Sequence, residues 1–452
     1  MTNYLFYGTR ITVVLLTAGL ILLLAGCQMS TLSNQVEPTA TAVTPVVMLP
    51  NPTPTVGATP TLAETGVVTD TTINLRVWTI EGISPEAPGE AGDFVSNSLR
   101  AFRRIHPNVK VEVVLKKPSG KGGMLDFLRT ARDVAPTIMP DVAVLNTTDL
   151  NQAYSNGLIQ SLDGRLDRSV VQDLTPAARK MGTVDNKLVG VPLGIDMEHT
   201  VYNTRTFTTP LLLWSDVLSS NTKYLFPAKG VNGLVNDTTL SFYFSAGGKL
   251  LDEEGHPKID ERVLHSVLDF YRQAVSQTVI VPSIVLNAST TEELWPTYLE
   301  AKAGLAQISV RQFLTDREVL KNTSFAPLPV PQAGDAPVLI THSWALVLVT
   351  DQAERQKVAL DLIQLFMSTE NNAAWNTINK SIPTRQTAYK QVAADDPYWA
   401  FLSDQLNTAQ PQPGFAGYDQ IGRIIQQAVQ QVINGEATPD QATTTAIDAL
   451  TP

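Results

Sequence analysis

The chain has 452 residues, 43% of them hydrophobic and 17% charged, which is ample apolar material for a globular core. Asp and Glu number 43 against 33 Lys and Arg, for a net charge of −10, and no basic cluster breaks that pattern, so a nucleic-acid partner is excluded. A single cysteine, Cys27, excludes an intrachain disulfide framework.

The N-terminus places Arg10 ahead of an apolar run from Ile11 to Ala25, followed by small residues. That order is a secretory signal rather than a folded element. Leu24-Ala25-Gly26-Cys27 resembles the bacterial lipobox, which implies cleavage before Cys27, its acylation, and a lipid anchor on the outer face of a membrane. Residues 1–26 are thus expected to be a lipoprotein signal peptide. Gln28 to Thr72 contains no Lys, Arg or aromatic residue and is dense in Thr, Pro and Val. Such a stretch cannot build a core and favours extended chain, so 27–72 reads as a lipid-anchored tether. No later stretch approaches the ~18 apolar residues a spanning helix needs. The roughly 380 residues that remain exceed what one core usually serves, and two domains are expected.

Order begins with the alternating strand Ile73-Asn74-Leu75-Arg76-Val77-Trp78, which runs into a Gly/Pro/Glu-rich loop from Glu81 to Gly92. Asp93 is expected to cap a helix with the apolar stripe Val95, Leu99 and Phe102, ending at His106-Pro107. A strand over Val109 to Leu115, a helix marked by Met124, Leu128 and Ala131, a strand over Asp141 to Leu145 and a helix ending near Gly157 follow. This alternation predicts an open α/β layer with parallel strands. Further on, Leu264, Val267, Leu268 and Tyr271 mark a helix, as do Val358, Leu362, Leu365 and Phe366. Ala345 to Val349 is a buried strand, and a last helix runs from Ile421 to Ile433 and stops at Asn434-Gly435.

The histidines (His106, His199, His256, His265, His342) show no i,i+4 pair and have no Cys to join them, so neither zinc spacing nor another metal site is expected. G-x-S-x-G is missing, and Ser119-Gly120-Lys121-Gly122-Gly123 lacks phosphate-loop spacing and reads as a surface turn. No catalytic residue and no cofactor is assigned. The plentiful carboxylates leave a paired-acid glycosidase open on residue types. Ligands of open α/β sheets sit beyond the carboxyl ends of the strands, where Trp78 and Glu81 fall at one end and Asn146, Thr147, Thr148 and Asp149 at another. Rings and carboxylates together suit a sugar. Trp78 reads equally as a core tryptophan, and Asp149 equally as a helix cap.

From Ile73 onward the chain resembles the extracytoplasmic solute-binding proteins of ABC importers, family 1, the class that includes maltose-binding protein. The resemblance rests on segments in order: Phe102 to Val111, Pro140-Asp141-Val142, Gly157 to Asp163, and above all Val191-Pro192-Leu193-Gly194-Ile195-Asp196 running into Val201-Tyr202-Asn203. Gly247 to Leu251, Ala303 to Ala306, Ser343 to Leu346 and Ile382 to Arg385 follow. It implies an α/β, two-lobed periplasmic-binding-protein-like fold of type II, with lobes joined by crossing hinge segments. The N-lobe would comprise 73–190 and 306–350, and the C-lobe 191–305 and 351–452.

By the same resemblance Asp196 reaches the ligand from the hinge, Asn146, Thr147 and Asp149 form an N-lobe ligand loop, and Asn236 and Asp237 fall near a C-lobe ligand segment. Ser309 and Arg311 align near a stacking tryptophan of the family, Phe415 and Tyr418 near another stacking position, and Trp344 serves as a floor ring. Trp214, Trp295, Trp375 and Trp399 are assigned to packing. The function implied is a monomeric, lipid-anchored receptor that captures a small-molecule sugar and delivers it to ABC permease subunits by hinge closure. A receptor for another small solute, a cell-surface glycan hydrolase, and an adhesion or sensory lipoprotein are the competing readings.

Overall fold

The computed structural model describes residues 72–450. The expected signal peptide 1–26, Cys27 and the tether up to residue 71 lie outside the described residues. Among the described residues, no helix is long and apolar enough to cross a membrane.

Two sheets organise the fold. The first has the strand order Val109–Leu115, Ile73–Thr79, Val142–Asn146, Trp344–Leu348, Val191–Pro192. Its first three strands are parallel, and Trp344–Leu348 is antiparallel to both of its neighbours. The pleat sorts the side chains between two cores. Leu75, Val77, Val142, Val144, Leu346 and Leu348 meet the helices Glu90–Ile105 and Ala353–Phe366 through Val95, Leu99, Phe102, Leu362 and Ile363. Trp78, Ala143, Leu145, Ala345 and Val347 face the other way, onto Met124, Leu128 and Leu150. A sheet covered on both faces needs runs without polar alternation, which is why Val142-Ala143-Val144-Leu145 reads as it does.

The second sheet is built around one long strand, Gly194–Asn203. Ile340–His342 pairs with it on one side and Leu305–Ser309 on the other, while Ile382–Pro383 and Thr323–Ala326 pair with its two ends. Gln410–Pro411 and Tyr224–Leu225 close the two edges. A ring-rich core lies outside this sheet, with Trp214 stacked on Phe270 and Phe226 stacked on Tyr271 at 4.9 and 5.5 Å.

The two sheets are joined where the chain crosses between them. Leu193 alone separates Val191–Pro192 in the first sheet from Gly194–Asn203 in the second, and Ser343 alone separates Ile340–His342 from Trp344–Leu348. The two crossings are bonded to each other. Ser343 Oγ donates to the Gly194 carbonyl at 2.6 Å, and Leu193 N–H donates to the Trp344 carbonyl at 2.9 Å. The amides of Asn372 and Asn376 both donate to the Leu193 carbonyl at 2.9 Å. A Cβ at Gly194 would lie 2.1 Å from Asn376 Oδ1, so only glycine fits there.

Several boundaries differ from expectation. The first helix starts at Glu90, three residues ahead of Asp93, because the backbone turns at Gly89 (φ 64°) and leaves Asp93 in the first turn without a capping role. The third strand begins at Val142; Asp141 instead takes the Arg355 guanidinium at 2.6 Å. The helix Tyr418–Asn434 does stop at a left-handed Gly435 (φ 76°), but it is followed by another, Pro439–Asp448. Strand pairing also divides the chain differently. Leu305–Ser309 lies in the second sheet although 306–350 was expected in the N-lobe, and Ala353–Phe366 packs on the first sheet although 351–452 was expected in the C-lobe.

Candidate functional site

Polar groups gather at the start of the long strand. Asp196 and Glu198 are two residues apart and project from the same face. Register places His342 opposite Asp196 and Ser309 opposite Glu198. Three helix N-termini deliver the remaining groups. Asp237 opens the helix Asp237–Ser245, capped by the Asn236 side chain, and its Oδ2 accepts from His342 Nε2 at 2.6 Å. Glu292 lies in the first turn of Thr291–Leu299, with Oε1 3.4 Å from the donating Ser309 Oγ. Ser309 in turn caps Val310–Asp316, whose Arg311 donates its backbone N–H to Asp196 Oδ1 at 3.4 Å and holds Nε 3.9 Å from Asp196 Oδ2.

Burial and mutual repulsion set the charges here. Burial pushes the Glu198 carboxyl well above the usual carboxylate range; Asp237, Glu292 and Asp196 add to the rise, and His342 opposes it. Its Oε2 is shut off from solvent and accepts no hydrogen bond. Burial also raises Asp196, against the pull of Arg311 and His342 and the N–H groups of Arg311 and Met197. Burial alone would lower His342, but the Asp237 carboxylate, followed by Glu198 and Asp196, raises it to about 9. His342 is therefore cationic at neutral pH.

The loop that follows the third strand of the first sheet comes up against this region. Burial, then Asp126 and Asp419, raises Asp149 to about 6. Asp419 belongs to the helix Tyr418–Asn434, which packs on the second sheet's side, so the two halves oppose carboxylates across the gap. They also touch: a Cβ at Gly414 would lie 2.3 Å from the Thr148 carbonyl oxygen. Phe415 and Tyr418 meet edge to face at 5.7 Å, and the Tyr418 hydroxyl, in a side chain only 4% exposed, has no hydrogen-bond partner. Trp344 is half-buried where the two cores of the first sheet meet.

Residues 99–400, two thirds of the chain, match the family model of the bacterial extracellular solute-binding protein. The chain belongs to that family. The same fold recurs in the cyclic alpha-maltosyl-1,6-maltose binding protein from Arthrobacter globiformis, at 17% identity and a TM-score of 0.68 over 84% of this chain and 98% of that one. The sugar-binding protein MalE from the phytopathogen Xanthomonas citri gives 17% and 0.67 over 83% and 97%. Maltose-bound MalE3 from T. maritima gives 18% and 0.66 over 84% and 99%. This bacterial extracellular solute-binding protein has the two-lobed α/β architecture of its family, which binds solutes and does not transform them.

Within the solute-binding protein, Asp196, Asp237, Ser309 and Arg311 come together at the hinge strand, and Tyr418 lies near enough for Asp237 to act on its hydroxyl. Asn146 and Thr147 stand at the carboxyl end of the third strand, and their side chains are engaged locally. Asn146 Oδ1 accepts from the N–H and the hydroxyl of Thr148 at 3.0 and 2.9 Å, and Thr147 Oγ1 donates to the Ser343 carbonyl at 3.3 Å. Glu81 is exposed beyond the first strand. Trp78 is a correction. The pleat turns its ring into the core beside Met124 and Leu128, where it is 1% exposed and meets Phe127 edge to face, so it is closed to a ligand. Trp214, Trp295, Trp375 and Trp399 are buried.

Glu198, Glu292 and His342 escaped the sequence reading. The i,i+2 spacing of Asp196 and Glu198 on a strand was the available signal. Among the described residues, Asp252, Glu254 and His256 are one group near enough to share a metal ion, but Asp252 Oδ1 already accepts the N–H groups of the other two in a tight turn.

Proposed function

We propose that this protein is an extracytoplasmic receptor that closes its two lobes on a sugar or oligosaccharide and hands it to an ABC importer. The observation that carries the reading is the polar gap itself: carboxylates from the hinge strand and from helix N-termini on one side, the Asn146–Asp149 loop on the other, and short crossings between. A ligand that touches both sides favours the closed state, whereas one that touches a single side shifts nothing. By sheet membership we assign 73–193 and 343–381 to one lobe and 194–342 with 382–450 to the other.

Trp344 and Phe415, both only partly buried, offer apolar faces in the same region as the carboxylates, the combination a sugar ring needs. The three solved relatives named above carry sugar-binding names, which supports the same class of ligand. We extend the reading to a monomer tethered by acylated Cys27, on the strength of Leu24-Ala25-Gly26-Cys27 after an apolar run.

Thermal shift across a sugar panel tests binding, since a ligand at ~100 times its dissociation constant adds ~2.7 kcal/mol. Small-angle scattering with the same ligand should show compaction, and chromatography should show the sugar unchanged. A ligand that binds without compaction would overturn the closing mechanism, and cleaved sugar would overturn the receptor reading.

A further inference from the structure

The acids around Glu198 are poorly matched by cations. Glu198 faces Asp196 on its own strand, Asp237 on one helix N-terminus and Glu292 on another, with His342 and Arg311 as the positive groups of the cluster. His342 is committed to Asp237 at 2.6 Å. Arg311 is 59% exposed and stands 3.9 Å from Asp196. Asp149 brings another carboxyl from across the gap, where Asp419 faces it.

Two atoms in this setting lack a protein partner. Glu198 Oε2 is shut off from solvent and receives no donor, although a buried carboxylate oxygen without one is costly. The Tyr418 hydroxyl, within electrostatic reach of Asp237, is in the same condition. A neutral sugar would meet a Glu198 carboxyl that burial and its acidic neighbours favour in the protonated form, and it would supply no charge for the surrounding acids. An ammonium group would satisfy the oxygen and offset the repulsion together.

We propose that the solute is cationic: an amino sugar whose protonated amine is seated at Glu198, with Asp196, Asp237 and Glu292 around it. This deepens the receptor reading and rests on it. The Tyr418 hydroxyl then receives or donates a hydrogen bond at a neighbouring ring position.

The test is calorimetry on the full chain with matched probes: glucosamine, glucose and N-acetylglucosamine, each also as the β-1,4-linked disaccharide, and spermidine as a sugar-free amine. The expected result is that the aminated sugar binds at least about tenfold more tightly than its neutral and N-acetylated partners, as a charge-assisted hydrogen bond implies. Glu198→Gln should remove about tenfold of that advantage, and Glu292→Gln, which removes a surrounding charge and leaves the seat itself, should remove less. Unliganded melting temperatures control for folding of both variants.

Equal or tighter binding of the neutral sugar, or an amine advantage that survives Glu198→Gln, would overturn the inference and leave the sugar receptor standing. Spermidine binding that Glu198→Gln weakens, without binding of any sugar, would support the cationic ligand and overturn the sugar reading. No binding of any probe, aminated or neutral, would overturn both.

Discussion

Gly414→Ala isolates the contact between the lobes. A Cβ at this position would sit 2.3 Å from the Thr148 carbonyl oxygen and 3.2 Å from the Thr148 Cα. Relief to an ordinary contact of about 3.4 Å would require the two surfaces to part by roughly 1 Å, since packed atoms rest at about 3.5–4.0 Å. Gly414 does not have a left-handed backbone, so alanine itself is unstrained there, and the clash lies wholly across the gap. Overpacking of this kind costs about 1–3 kcal/mol. In the receptor reading that cost falls on the closed state alone, which predicts ligand binding weaker by about 5- to 150-fold. Calorimetry with the identified ligand gives the affinity, and melting without ligand gives the stability of the open state, which should be unchanged. Unaltered affinity, or an equal loss of stability in the unliganded protein, would refute the argument, because the 148–414 contact would then be ordinary packing.

Other predictions follow from buried charges. His199, with Nε2 2.8 Å from the Tyr398 hydroxyl, is held neutral by burial, its pKa lowered to about 4 against a usual value near 6.5. A depressed pKa means that its stability is complete above about pH 6.5 and is lost as pH falls towards about 4, at a cost on the order of 3 kcal/mol; His199→Gln should flatten that slope in urea titrations. His342 shows the opposite sign, so its contribution is complete below about pH 6.5 and is lost as pH rises through about 9. Asp237→Asn should lower the His342 pKa seen by NMR, and an unchanged titration would remove Asp237 as its cause. Arg385 is buried and bonded to Asp173 at 2.8 Å, so Asp173→Ala should destabilise by about 3–5 kcal/mol in equilibrium unfolding. Cys27→Ser should abolish acylation, checked by mass spectrometry of the mature N-terminus.

Local periodicity made the first lobe readable. The strand over Val109 to Leu115 and the Val95–Leu99–Phe102 stripe carry their own signals, and both stand where they were expected. Asp196 was legible through the phrase that contains it. Glu292 and His342 were not, because each is brought to Asp196 and Glu198 by pairing or packing between segments far apart in the chain, which no local pattern records. Trp78 failed for a related reason: being last but one in a strand fixes its height on the sheet, whereas the pleat decides its face. The final helix was missed despite a usable sign. Thr438-Pro439-Asp440-Gln441 forms a capping box with proline at the first helical position, but it follows so closely on Gly435 that the earlier stop was read as the end.

The position of Trp344–Leu348 has a consequence for biogenesis. This strand lies inside the first sheet, between Val142–Asn146 and Val191–Pro192, yet it is made about two hundred residues after the former. As the chain grows, the early strands can pair among themselves, but Val142–Asn146 keeps an unpaired apolar edge until residue 348 has emerged. Such an edge invites pairing with other chains, and contacts so distant in sequence form slowly. The nascent polypeptide therefore stays unfinished for most of its synthesis. That lag keeps it open to threading through a translocation channel, and it makes a holding chaperone useful until the last third of the chain arrives.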